Sequence, residues 1–197
     1  MNFLAHLLLG PHEAQQAVGS LLGDFVKGPM DSIALPEGVR EGIWLHRQID
    51  GFTDRHELVA RSKERVSQQR RRYAGIMVDM FYDHLLARHW QRFSGQPLDQ
   101  FTKQMYRVVR AQEALLPERA RTVLLRMAKE DWLGSYAELS NLHIALNNMS
   151  RRLRPGNALA GSVCELEREY EGFEADFLAF MPQAVDFVRH EAEPLSD

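Results

Sequence analysis

Gly42-Ile-Trp-Leu-His-Arg-Gln-Ile-Asp-Gly-Phe-Thr-Asp-Arg-His56 reads as the end of one helix running into a turn and the start of the next. His46 and Asp50 stand four apart, so on a helix they stack on one face. Ile43 and Ile49 share or border that face, which sets an imidazole and a carboxylate where a core stripe is expected. A buried carboxylate without a partner costs several kcal/mol, and such groups are normally paired or metal-bound. Asp54 follows one turn after Asp50, and then His56, so four potential oxygen and nitrogen ligands fall within eleven residues. The plainer alternative is an exposed ion pair on a solvated helix.

The 197 residues form one expected domain, long enough for a substantial core. Apolar content of 45% and charged content of 26% are ordinary for a globular protein in water. The single cysteine, Cys164, excludes a disulfide framework and a cysteine-based zinc finger within the chain. The first ten residues are apolar but lack a basic flank and carry His6, so the expectation is neither signal peptide nor membrane anchor, and a cytoplasmic location. Charge is uneven: net charge is −3, yet the first 155 residues are net positive and the remainder strongly acidic. Arg61, Lys63, Arg65, Arg70, Arg71 and Arg72 have only Glu64 between them, a pattern that is either a solvated helix face or a docking patch for an acidic partner.

Helical periodicity dominates and no alternating strand pattern stands out. Gly10-Pro11, Gly28-Pro29, Pro36, Gly95-Gln-Pro97, Pro117 and Pro155-Gly156 punctuate the chain. Between them the pattern predicts helices near 2–9, 12–27, 37–50, 55–72, 74–93, 98–113, 117–130 and 136–153, followed by an acidic helix at about 157–190 with breaks possible at Gly172 or Pro182. The expected fold is an all-α helical bundle, its chemistry concentrated in residues 1–93. Trp132, Tyr136, Leu142, Phe173, Phe177, Phe180 and Phe187 read as core or interface.

Within residues 1–93, Asp24 follows Leu21 and Leu22 near a helix C-terminus, where the dipole disfavours an acid and a cation should compensate. Gly19 and Gly23 flank it and allow close backbone approach. Asp79 and Asp83 repeat the four-residue spacing along an apolar face, and like charges so placed call for a shared cation or proton. His6 alone reads more simply as a packing histidine. Histidines and aspartates from several helices, without cysteine, favour a hard or borderline ion: Mn²⁺ first, with Mg²⁺ or Fe²⁺ as alternatives. The absence of Glu-x-x-His pairs turns the expectation from di-iron chemistry towards hydrolysis.

Met-Asn-Phe-Leu-Ala-His at 1–6, Leu-Leu-Gly-Asp-Phe-Val-Lys-Gly at 21–28, the 42–56 stretch, and Tyr-Asp-His-Leu-Leu-Ala-Arg-His-Trp at 82–90 together resemble the acyl carrier protein phosphodiesterases. That family is a divergent, helical relative of the HD-domain metal phosphohydrolases, which implies an HD-like bundle, Mn²⁺ dependence and hydrolysis of the phosphodiester joining 4′-phosphopantetheine to the carrier serine. The resemblance implies metal ligands among Asp24, His46, Asp50, Asp79 and Asp83, with His6 and His56 as further candidates. It places Asp54 and His84 as handlers of protons, and Arg47, Arg70, Arg71 and Arg72 on the phosphate or on an acidic holo-acyl carrier protein. The chain departs from the HD pattern in having Asp83-His84 in reversed order and the spaced His46-x-x-x-Asp50; Glu57 stands where similar sequences carry proline. Two other expectations compete: a metal phosphohydrolase of a nucleotide or other small phosphodiester, and a non-enzymatic helical interaction module. Nucleic-acid binding is disfavoured by the acidic C-terminal third.

Overall fold

The computed structural model describes residues 2–190. Among them there is no strand, and eleven α-helices are interspersed with four short 3₁₀ turns. The helices are α1 (Phe3–Leu9), α2 (Ala14–Leu22), α3 (Glu37–Arg55), α4 (Glu57–Arg65), α5 (Ala74–Arg88), α6 (Leu98–Ala111), α7 (Glu118–Glu130), α8 (Trp132–Ser135), α9 (Leu139–Ser150), α10 (Val163–Arg168) and α11 (Tyr170–His190). The all-α class expected from the periodicity is what forms.

α5 is the axis of the bundle. Its residues Met77, Val78, Met80, Phe81, Tyr82, Leu85 and Leu86 are all buried, so it is apolar almost all round, as a central helix must be. α1, α4, α9 and α11 pack around it. Phe173, Phe177 and Phe180 of α11 are fully buried against it, with Phe173 edge-on to Phe81 and Phe177 edge-on to Tyr82. α2 and α3 form the most intimate pair. They cross where Gly19 meets Gly42: a Cβ on Gly19 would lie 2.8 Å from the Gly42 Cα, so only glycine lets the backbones come this close.

Pro36, Pro97 and Pro117 each stand immediately before a helix, where a missing N–H has no intrahelical acceptor to disappoint. The local signals misplace several boundaries: the expected 12–27 helix ends at Leu22, the 74–93 helix at Arg88, and the expected 157–190 helix begins only at Val163 and is split at Glu169. α3 continues through Gly51 to Arg55, because the chain turns extended only at His56, whose φ is −78° and ψ 131°. Hence His46, Asp50 and Asp54 ride one continuous helix. The expected 55–72 helix stops at Arg65; Val66 is extended, and Gln68–Tyr73 is a 3₁₀ turn. α11 runs unbroken past both Gly172 and Pro182.

Candidate metal centre

Three helices bring the site together. α1 supplies His6, the loop after α2 supplies Asp24, and α3 supplies His46 and Asp50. His6 and His46 are buried, at 0% and 1% exposure, while the Asp50 side chain is 38% exposed and opens the site to solvent.

His46 is fixed from behind. Its Nδ1 lies 2.7 Å from the Ser20 carbonyl oxygen, so that nitrogen carries the proton and Nε2 turns to the carboxylates. Asp50 Oδ2 is 3.1 Å from Nε2 and Asp24 Oδ1 is 3.7 Å away. A lone pair aimed at two carboxylates is repulsive unless a proton or a cation stands between them. Burial opposes a charge on His46, but the neighbouring Asp24 and Asp50 outweigh it and raise its pKa to about 9. Gly23 makes room for the ring, since a Cβ there would collide with the imidazole carbons of His46.

His6 is the opposite case. Burial and the nearby His46 lower its pKa to about 4, so its imidazole is neutral. The two rings stack with centroids 3.7 Å apart. His6 Nε2 is 3.2 Å from Asp50 Oδ1 but out of line for a hydrogen bond, and neither ring nitrogen makes one. A fully buried imidazole with no hydrogen bond costs stability unless something else accepts its lone pair. Ligand atoms of His6, His46 and Asp50 all lie within 4.8 Å of one another. Two imidazoles and one or two carboxylates are a donor set that fits a hard or borderline divalent ion, and His6 would offer such an ion a nitrogen that makes no hydrogen bond. Burial would raise the Asp50 pKa, yet the His46 ring beside it holds it far below the carboxylate range. Asp24, likewise opposed by burial, is lowered by His46.

The other expected site residues make the following contacts. Asp79 stands close enough to Asp50 to feel its charge; burial first and that charge second raise its pKa. Asp83 is fully buried and turns to α1, accepting the N–H of Leu4 at 3.0 Å and of Ala5 at 3.2 Å. α1 has no side-chain cap of its own, so a carboxylate from α5 satisfies its first turn. Burial drives the Asp83 pKa up to about 7 despite those two N–H donors.

Asp54 is exposed and pairs with Lys63 at 3.1 Å. His56 caps α4, accepting the Leu58 N–H through Nδ1, while Nε2 lies 3.2 Å from Gln183 Oε1. His84 uses both nitrogens, on the Tyr136 carbonyl and the Tyr170 hydroxyl. Arg47 grips the loop after α2, donating to the Gly28 and Val26 carbonyls at 2.8 and 3.0 Å.

The basic run from Arg61 is largely engaged by the acidic end of the chain. Arg61 and Arg65 both hold buried Asp176 of α11. Arg70 lies 3.3 Å from Glu165 and donates to the Ala158 and Ala160 carbonyls. Arg71 donates to the Val66 and Glu64 carbonyls, and Arg72 is exposed. Sequence reasoning did not reach the Ser20 carbonyl, the α1 amides or the Tyr136 carbonyl. Backbone groups have no residue signature, so no signal pointed to them.

A family model described as acyl carrier protein phosphodiesterase matches residues 1–184. The chain belongs to the acyl carrier protein phosphodiesterase family. Among curated family members, the acyl carrier protein phosphodiesterase of Pectobacterium atrosepticum is 36% identical over 191 residues, covering 96% of this chain and 98% of the relative. That of Serratia proteamaculans is 37% identical over 184 residues, 93% and 95% of the two chains. The Escherichia coli O6:H1 protein of the same name is 33% identical over 193 residues, 98% of this chain and all of the relative. No solved structure matches the chain significantly. No helix among the described residues is long and apolar enough to cross a membrane.

Proposed function

We propose that this chain hydrolyses the phosphodiester linking 4′-phosphopantetheine to the serine of holo-acyl carrier protein, releasing apo-carrier and 4′-phosphopantetheine. Family membership supports the substrate. The observation that carries the chemistry is the convergence of His6, His46 and Asp50 around an imidazole with no hydrogen bond.

His6 Nε2, His46 Nε2 and Asp50 are the proposed ligands of a divalent ion, Mn²⁺ by preference, with Asp24 as the fourth donor. Such an ion supplies Lewis acidity, drawing off charge at a phosphoryl oxygen and making water more acidic. The chain does the rest. The Ser20 carbonyl holds the His46 ring so that Nε2 faces the cluster. Asp50 ties the two imidazole edges together. Asp54 stands one turn beyond Asp50 at the exposed rim and is the group we assign to passing protons between the site and solvent. Asp83 and His84 act by position, one holding α1 and the other joining α5 to α8 and α11. Arg47 keeps Asp24 in reach by fastening the loop that bears it.

The test is direct. Holo-acyl carrier protein incubated with the protein and Mn²⁺ should lose the mass of phosphopantetheine, and the Asp50→Ala variant should leave it intact. An unchanged carrier mass, from protein that has bound Mn²⁺ and cleaves bis(p-nitrophenyl) phosphate, would replace this substrate with a small phosphodiester.

A further inference from the structure

The run of arginines between residues 61 and 72 is mostly neutralised inside the fold, and a different surface is left with unbalanced positive charge. From Leu139 to Cys164 the chain contains no acidic residue at all. Arg151, Arg152 and Arg154 follow the end of α9 and are exposed. Among the described residues none of the three has a carboxylate in ion-pair range; Arg151 touches only the Asn148 side chain, at 3.2 Å. By contrast Arg61, Arg65, Arg70, Arg126 and Arg168 all hold an acid.

The same segment carries unusual apolar exposure. Only three large hydrophobic side chains are prominently exposed among the described residues, and Ile144 at 55% and Leu153 at 38% are two of them. Between α9 and α7–α8 lies a cavity of about 200 Å³ lined by Trp132, Tyr136, Ile144, Met149 and Arg152, among others. Its Tyr136 wall lies near Asp83, the acid that holds the first turn of the helix carrying His6. The pocket mixes apolar walls with Arg152 and the Arg126–Glu130 ion pair. The exposed Ile144 and Leu153 stand in the same segment as the unpaired arginines. Apolar anchors with positive charge beside them are the make-up of a protein interface, where the anchors bury and the charge steers the approach.

We infer that Arg151, Arg152 and Arg154, with Ile144 and Leu153, form the docking surface for an acidic partner protein. The occupant is committed by charge: a partner presenting carboxylates around an apolar contact pairs with this surface, and a basic or neutral one leaves it unmatched. On the reading of the preceding section, on which this assignment rests, that partner is the carrier protein itself.

The experiment pairs a charge-reversed variant, Arg151→Glu/Arg152→Glu/Arg154→Glu, with an apolar one, Ile144→Ser. Both alter exposed side chains, and circular dichroism with thermal melting confirms that each stays folded. Binding of holo-acyl carrier protein is measured by calorimetry, and turnover on both the carrier and bis(p-nitrophenyl) phosphate is followed. The expected result is a Kd and KM for the carrier at least about tenfold higher in the triple variant, a salt dependence of binding weaker than wild type, and unchanged cleavage of the small diester. Ile144→Ser should weaken binding with the salt dependence kept. Equal carrier affinity in wild type and triple variant overturns the docking surface while leaving the phosphodiesterase reading in place. If the wild type binds the carrier through these arginines without cleaving it, the docking surface holds and the substrate reading fails. Failure of the wild type to bind the carrier at all overturns both.

Discussion

The imidazole rings of His6 and His46 lie face to face, their centroids 3.7 Å apart and their planes 13° from parallel, with Asp50 spanning both outer edges. One ring is held neutral by burial, with a pKa of about 4; the other is raised to about 9 by Asp24 and Asp50 against the same burial. That asymmetry is what a shared cation would relieve. Mn²⁺ at a hundredfold excess over its Kd should therefore stabilise the wild type by about 2.7 kcal/mol, read as a rise in Tm that EDTA reverses. His6→Ala should abolish the metal-dependent shift. An equal shift in that variant would remove His6 from the ligand set.

Asp83 and α1 give a second expectation. Removing the carboxylate strands the Leu4 and Ala5 amides in a buried place, so Asp83→Ala should cost roughly 2–4 kcal/mol, measured by urea unfolding. Asp83→Asn keeps one acceptor oxygen and should cost less. Burial raises the folded-state pKa of this acid to about 7 from 3.8. Between those values the folded protein holds a proton that the unfolded chain has released, so this contribution is complete at low pH and is lost as pH rises through 7. In EDTA, the wild-type advantage over Asp83→Asn should therefore shrink on going from about pH 5 to about pH 8. A difference that grows over that range would contradict the assignment.

Gly23 tests how closely the site is packed. Any Cβ at this position must displace the His46 ring, which its Nδ1 bond to Ser20 otherwise holds still. A shift of about 1 Å in a ligand can cost on the order of a hundredfold in rate. Gly23→Ala should accordingly lose metal affinity and turnover while its metal-free Tm falls by only a few degrees. Wild-type Mn²⁺ affinity in Gly23→Ala would show that His46 does not need this space.

What could be read from the chain beforehand was what lies within one helix turn. His46 and Asp50 declare themselves because α3 stacks residues four apart, and Asp24 because a helix C-terminus repels acid until a cation such as His46 arrives. Asp79 and Asp83 share the same spacing, but Asp83 spends its charge on backbone amides of a helix nearly eighty residues away, and an amide leaves no mark in a sequence. His6 has no local pattern at all; its meaning depends on α1 packing against α2 and α5, which brings its ring onto His46. The helix that ends at Arg55 rather than Asp50 was hidden by Gly51, which weakens a helix without having to end it. The arginines from 61 to 72 look different in space for the reverse reason. Counted locally they face one glutamate, whereas in space they meet Glu165, Glu169 and Asp176, roughly a hundred residues further on.

Asp176 decides whether those arginines belong to the fold. It is 0% exposed, and Arg61, Arg65 and Ser62 all bond to its two oxygens. Burial would raise its pKa, but Arg65 and Arg61 together with the Ser62 hydroxyl hold it below the usual carboxylate range. Its contribution to stability is thus present above the unfolded pKa and lost as pH falls through the folded one. Removing Asp176 leaves Arg61 and Arg65 partly exposed and able to reach water, so the loss is that of their charge-assisted bonds, about 1.5–3 kcal/mol. Asp176→Ala should lower stability by that order in urea unfolding at neutral pH, with α11 loosened from α4. Asp176→Asn, which keeps the shape but not the charge, should be destabilised at neutral pH and converge on the wild type as both are acidified. If instead Asp176→Ala unfolds like the wild type and only its KM for the carrier changes, the 61–72 arginines face the partner rather than α11.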